Sequence, residues 1–252
     1  MTTVAIMQPT YLPWLGYFDL IDRSNIIVFL DDVEFSKQSW QQRNRIKTTN
    51  GNHWLTVPVI WRGHSGQEIK SVRIKENSNY KKKHINTIKQ YYSKSTYFNM
   101  YINELSLIFN KPHQYLVELN IDLINWLCLK IGINTRLIKS SQMSIDISER
   151  VEKLVNICKE LGADHYFSPA GSKEYIEENN IFSKHGIKLL YQDYKHPTYN
   201  QMHGDFIPFM SVIDLLFNEG DKSLEIIKSG SFFIVDDPVR TQTHRNPVGL
   251  RF

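Results

Sequence analysis

The sequence predicts an α/β protein whose core is a parallel sheet. Three observations carry that expectation. Residues 3–8 (TVAIMQ) and 26–30 (IIVFL) are short, nearly unbroken apolar runs, as expected of strands covered on both faces. Residues 15–23 between them place Leu15, Phe18 and Ile21 at helical spacing, which makes the three pieces one βαβ unit. After residue 134, strand-like and helix-like segments alternate again.

The first strand ends at Gln8-Pro9, and an aromatic turn (TYLPWLGYF) leads into a helix starting near Trp14. The second strand is closed by Asp31 and Asp32. Residues 53–60 and 69–74 alternate in polarity, and the turn-rich stretch from Gly51 to Gly66 predicts an antiparallel excursion. Residues 80–110 and 113–131 form a helical block, with apolar positions such as Ile88, Tyr92, Leu105, Phe109, Leu119, Leu123 and Leu127. Lys81, Lys82 and Lys83 read as its solvated face. Residues 135–138, 164–168 and 187–191 are expected strands. A helix over 148–161 takes Ser148 as cap and Gly162 as stop, and further helices begin at 211 and 222. From Gly230 the chain reads as a polar tail with Arg240, His244, Arg245 and Arg251. The expected division is an α/β core over 1–75 and 132–230, an inserted helical region over 76–131 and a tail over 231–252.

The 252 residues are 41% hydrophobic, enough for a sizeable core and too much for a disordered chain. No apolar run approaches the ~20 residues of a membrane-spanning helix. The start, MTTVAIMQPT, lacks a basic region followed by an apolar one, so a cytoplasmic protein is expected. Cys128 and Cys158 are too far apart for a CxxC metal site, and both fall on apolar helical stretches. A net charge of +4 suits small anionic ligands and does not by itself call for nucleic acid.

Four segments combine reactive side chains with turns. Gln8 to Tyr17 delivers the first strand to a helix N-terminus, where open parallel sheets bind ligands and exposed amides favour phosphate. Gly16 would let a ligand approach the backbone there, although neither GxGxxG nor GxxxxGK[ST] occurs. Asp31 and Asp32 stand at the same edge and suit Mg²⁺, a ribose or an amine. Arg43, Arg45 and Lys47 recur at every second residue; an extended segment would point all three at a phosphate or carboxylate, or into surface salt bridges. Ser168 to Lys173 is a small-residue turn whose amides could reach a ligand, with Ser148 and Arg150 upstream. His196 to Asp205 holds two histidines and an acid. His203 with Asp205 would make a base and its orienter, a structural or substrate-orienting role stays open, and the spacing fits no standard metal pattern.

Together these stretches resemble the WbqC-like family. The resemblance is carried by IMQPTYLPWLGYFDLI (6–21), IIVFLDDVEFSKQSWQQRNRIKT (26–48), WLTVPV (54–59), LVNICKELGADHYFSPAGSKEYI (154–176) and IKLLYQDYKHPTYNQMHGDFIPFMSVIDLLFNEG (187–220). The run DDxxFSKxSWxxRNRI is its most specific part, and the likeness extends to about residue 230. It implies a role in bacterial surface-polysaccharide (O-antigen) biosynthesis. In order of elements the chain also resembles the HIGH-motif nucleotidyltransferases, pantothenate synthetase above all. That likeness implies a Rossmann-like, nucleotidyltransferase-like core with ATP at the first strand-to-helix turn. The HxGH positions would fall near Leu12 to Tyr17, where no histidine stands and only Gly16 is kept. Ser168 to Gly171, with Arg43 and Arg45, would then have to stabilise phosphate charge.

The implied reaction is ATP-dependent activation of a small carboxylic acid such as glycine, and its transfer to the amine of a nucleotide-linked amino sugar. On that reading ATP and Mg²⁺ are required. Gln8, Tyr11, Gly16, Tyr17, Arg45, Ser168 and Gly171 line the ATP site. Asp31, Asn44, Lys47, His196, Tyr199, Gln201 and Asp205 bind substrate. Asp32 and Arg43 act at the reacting groups, and His203 deprotonates the attacking ammonium. A CoA- or carrier-dependent acyltransferase, a glycosyltransferase and a non-catalytic assembly partner are the competing expectations. The helical block would be a lid, a substrate subdomain or a homodimer surface.

Overall fold

Side chains of the first strand, β1 (Thr3–Met7), alternate cleanly. Ala5 and Met7 enter one core cluster and Val4 and Ile6 another, all of them buried. A strand covered on both faces needs helices on both sides. The computed structural model, which describes residues 1–145, 149–176 and 180–235, supplies them. Along the chain α1 (Leu15–Asp22) joins β1 to β2 (Ile26–Phe29). A hairpin of β3 (Arg43–Thr48) and β4 (Gly51–Thr56) follows, then α2 (Tyr80–Tyr92), α3 (Phe98–Asn110) and α4 (Leu116–Ile131). The sheet resumes with β5 (Arg136–Lys139), α5 (Arg150–Glu160) and β6 (His165–Pro169). Two single-turn helices, α6 (Lys173–Ile176) and α7 (Ile181–Lys184), precede β7 (Lys188–Tyr194). The described chain ends in α8 (Val212–Glu219), α9 (Ser223–Ser229) and β8 (Ser231–Val235).

The strand order is β5-β2-β1-β6-β7-β8, parallel except for β8. From β1 the order therefore grows outward in both directions, the Rossmann-like arrangement expected from the sequence. One face carries Ile27, Phe29 and Phe167 against α1, α4 and α8. The other carries Ile26, Val28 and Tyr166 against Leu154, Ile157 and Cys158 of α5 and Phe182 of α7. Helices α2 to α4 share the first core: Tyr92, Phe109, Leu123 and Leu127 join Phe18, Phe29 and Phe217 in one cluster. Both cysteines are buried, and burial pushes each thiol up to about 12. No helix among the described residues is long and apolar enough to cross a membrane.

Two expectations are corrected. The antiparallel partner of β4 is β3, in register from Arg43↔Thr56 to Thr48↔Gly51, and not residues 69–74. The tight turn at Thr49-Asn50, followed by Gly51 at φ +91°, makes the nearer pairing the easier one to close. Residues 69–71 form a 3₁₀ turn, and only Ile74 bridges back to Val59. The tail, in turn, starts as a strand: Ser231–Val235 pairs antiparallel with β7 and covers the sheet's open edge. Ser148 and the basic residues Arg240, His244, Arg245 and Arg251 lie outside the described residues.

Candidate functional site

Because β1 leads to α1 on one face while β6 leads to α6 and α7 on the other, a crevice opens at the carboxyl ends of these adjacent strands. A cavity of about 850 Å³ fills it. Gln8, Thr10, Trp14, Gly16 and Tyr17 line it from β1 and the first turn of α1. Asp32 and Glu34 come from the segment after β2, Arg150 and Lys153 from the first turn of α5. Ser168, Gly171 and Ser172 come from the end of β6, and Gln192 from β7. Neither α1 nor α5 has a side-chain cap at its N-terminus, whereas Ser211 caps α8 by accepting from the Ile213 amide. Two helix N-termini without side-chain caps thus start at one cavity, and such ends carry partial positive charge.

The paired aspartates separate in role. Asp31 is buried, and its carboxylate accepts from the Ser141 amide (3.0 Å) and hydroxyl (2.7 Å). It ties the end of β2 to the end of β5 and does not line the cavity. Asp32 does line it. Its Oδ1 stands 2.8 Å from Lys153 Nζ and accepts a short hydrogen bond from Ser140. Burial alone would raise Asp32. The hydrogen bonds from Lys153 and Ser140, with the lysine's charge, outweigh it and hold the carboxyl below its ordinary value.

A clamp of asparagines shapes the turn before α1. Asn44 Nδ2 donates to Leu12 O (2.7 Å), and Leu12 sits in the left-handed region at φ +45°. Asn120 Nδ2 donates to both Pro9 O (3.1 Å) and Gln41 O (2.8 Å). Gly16 lines the cavity, but the space a Cβ would take is filled by the Trp14 indole, so packing explains this glycine. Tyr17 donates to Gln8 O (3.0 Å), and Gln41 donates to Gln8 Oε1 (2.8 Å) at the mouth. Ser168 Oγ lies 2.5 Å from Ser172 Oγ, which donates to Pro169 O (2.7 Å). Gln192 Nε2 donates to Gly16 O and to Asp19.

Other predicted residues lie elsewhere. Tyr11 is buried beneath the helical region, where its hydroxyl donates to His84 Nδ1 (2.7 Å). Burial pushes His84 down to about 4, so it is neutral and accepts that bond. Asn44 is buried and spends its amide on Leu12 and on the Arg45 N–H. Lys47 shares the face of Arg43 and Arg45 but is buried, with its ammonium on the carbonyls of Gly204 (3.0 Å) and Asp205 (2.5 Å). Arg43 and Arg45 lie against the indoles of Trp54 and Trp40, outside the cavity.

The segment from His196 to Asp205 closes over the same face. Tyr199 and Gln201 donate to Asp214 Oδ2 (2.7 and 2.8 Å), and Tyr92 donates to Oδ1 (2.6 Å). Burial raises the Asp214 carboxyl despite those bonds. His196 packs beside Trp14 at 6.2 Å and donates from Nδ1 to Pro197 O, and burial lowers its pKa. His203 does not line the cavity; its Nε2 donates to Tyr91 O (2.7 Å) and its ring meets Tyr91 edge-on. The structure therefore gathers Gln8, Gly16, Tyr17, Asp32, Ser168 and Gly171, and leaves the Arg row and His203 apart. Lys153 and Gln192 belong to the cavity although no sequence pattern marked them. Lys153 stands among other charged residues on an amphipathic helix and reads as solvent-facing.

A family model described as the WbqC-like protein family matches residues 8–226. The uncharacterized protein Rv1507c of Mycobacterium tuberculosis is 34% identical over 230 residues, which cover 90% of this chain and 98% of that protein. No solved structure matches. The family match spans the first strand-to-helix turn, the inserted helices and the cavity lining from Gln8 to Gln192, and on it the chain belongs to the WbqC-like protein family.

Proposed function

We propose that the cavity between β1 and β6 binds ATP, and that the protein is a biosynthetic transferase of surface-polysaccharide assembly. One observation carries the reading: two helices without side-chain N-caps, α1 and α5, start at a single cavity at the sheet's switch point. Such a site favours phosphate. Lys153 would meet phosphate oxygens, and the Gly171 and Ser172 amides would supply neutral donors. Asp32, held ionised, suits a cation: the acceptor's ammonium before it loses a proton to become the attacking amine, or Mg²⁺. No cluster of three or more His, Cys, Asp or Glu that would hold a metal occurs among the described residues. One carboxylate beside phosphate oxygens nevertheless fits Mg²⁺, which when bound neutralises phosphate charge.

The reaction proposed has two steps. A carboxylate oxygen of a small acid bonds to the α-phosphorus as the α–β anhydride breaks, releasing pyrophosphate. The amine of a nucleotide-linked amino sugar then attacks the acyl carbon, the bond to AMP breaks, and the ammonium's proton is lost to solvent. The chain positions both partners and stabilises charge. The test is release of pyrophosphate and AMP from ATP, dependent on glycine or another small acid and on an amino sugar nucleotide. Transfer from acyl-CoA without ATP would replace this reading with a CoA-dependent acyltransferase. Lys153→Ala should lower turnover by about 10²-fold if Lys153 meets the transferring phosphate.

A further inference from the structure

We infer that the β3–β4 hairpin carries a second binding surface, for the nucleoside diphosphate part of the acceptor. This rests on the reading of the cavity as an ATP site and adds the place of the second substrate. Trp40 and Trp54 are 40% and 39% exposed, with indole centroids 5.4 Å apart. Buried indoles are ordinary; two neighbouring ones left open to solvent present flat faces on which a base can stack. Arg43 lies over Trp54 at 4.3 Å, and Arg45 lies 5.5 Å from each indole.

Neither guanidinium is paired with a carboxylate among the described residues. Arg45 Nε is buried without a hydrogen-bond partner, and its Nη2 makes only a long bond of 3.4 Å to Phe209 O. A partly desolvated guanidinium with unused donors favours an anion that accepts more than one bond. Lys47, third in the row, is already used on Gly204 and Asp205, so two cations remain, matching the two phosphates of a diphosphate.

The surface also runs into the cavity's mouth. Trp40 O accepts from the Tyr11 amide (2.9 Å), and Gln41 bonds to Gln8 (2.8 Å). Phe209, which Arg45 reaches, packs 5.5 Å from the Trp14 ring that lines the cavity. A diphosphate held on Arg43 and Arg45 would leave its linked sugar free to enter beside Trp14.

Calorimetric titration of the full chain with UDP, GDP, inorganic pyrophosphate, oligothymidine and ATP tests this. UDP or GDP should bind more tightly than pyrophosphate. Trp54→Ala and Arg43→Gln should each weaken it by about tenfold, with ATP affinity unchanged in Trp54→Ala. Equal binding to the variants, or no binding of either nucleoside diphosphate, overturns the inference. So does oligothymidine binding more tightly than UDP or GDP with the same dependence on Trp54. If UDP or GDP binds and the variants lose it while ATP never binds, the hairpin surface stands and the ATP cavity fails. If ATP alone binds and Lys153→Ala abolishes it, the cavity stands and the hairpin surface fails.

Discussion

At the scale of single residues, Asp32 gives the cavity a response to acid through its pairing with Lys153. The folded Asp32 carboxyl ionises below its ordinary value. Its contribution to stability is therefore complete above the unfolded pKa of about 3.9 and is lost as pH falls through the folded value. Lys153→Ala removes the cation that lies 2.8 Å away and leaves Asp32 only 17% exposed without it. Stability at neutral pH should fall by about 1–3 kcal/mol. The acid unfolding midpoint, followed by circular dichroism, should move to higher pH. An unmoved midpoint would mean that the pair does not hold the carboxylate down. Half of this pair was legible in the sequence, because Asp32 follows an apolar strand that had to end at the sheet's carboxyl edge. Lys153 was not, since distance along the chain hides a partner brought in by the α5 crossover. For the same reason Asp31, its twin in sequence, could not be told apart as the residue that ties β2 to β5.

At the scale of elements, the site depends on how loops are pinned. The turn over residues 9–13 sets where α1 starts, and Asn44 holds its left-handed Leu12 in place. Asn44→Ala leaves that carbonyl without its buried donor and should cost about 1–3 kcal/mol. It should also weaken the proposed binding of ATP, because Trp14 and Gly16 follow the turn directly. Normal affinity with lowered stability would confine Asn44 to folding. A second knot joins α2, α8 and the 196–205 segment: Asp214 accepts from Tyr92, Tyr199 and Gln201, and its charge acts on buried Lys47. Asp214→Ala strands the Tyr92 and Tyr199 hydroxyls and removes a charge that favours the Lys47 ammonium, so a loss of about 3–5 kcal/mol is expected from urea denaturation. The strands and helices themselves were largely legible, because buried parallel strands are apolar runs and the helices keep a 3.6-residue period. The hairpin was not fully so: β3 reads Arg-Asn-Arg-Ile-Lys-Thr, whose charges suggest a ligand row before they suggest a strand. The knots were illegible because His196 to Asp205 has no period, and its side chains are fixed by α2 and α8.

At the scale of the molecule, the inserted helices and the sheet stand or fall together. Their apolar side chains form one continuous cluster, in which Ile46 and Leu55 of the hairpin and Tyr92, Leu105 and Leu127 of the helices meet Phe29 of β2. Unfolding the helical region alone would expose to water the part of this core that α2 to α4 cover, at a cost that grows with every apolar side chain uncovered. Far-ultraviolet circular dichroism and tryptophan fluorescence should therefore report the same urea transition. The fluorophores sample different parts, with Trp126 on α4, Trp40 and Trp54 at the hairpin, and Trp14 at the cavity. Non-coincident transitions would mean that one part of the molecule unfolds independently of the rest. A ligand that binds only the folded cavity must then raise the single midpoint as a whole. At a concentration of 100 times its dissociation constant the stabilisation is about 2.7 kcal/mol. If ATP shifted one probe and not the other, the cavity and the helices would be energetically separate, and the shared core would not be what couples them.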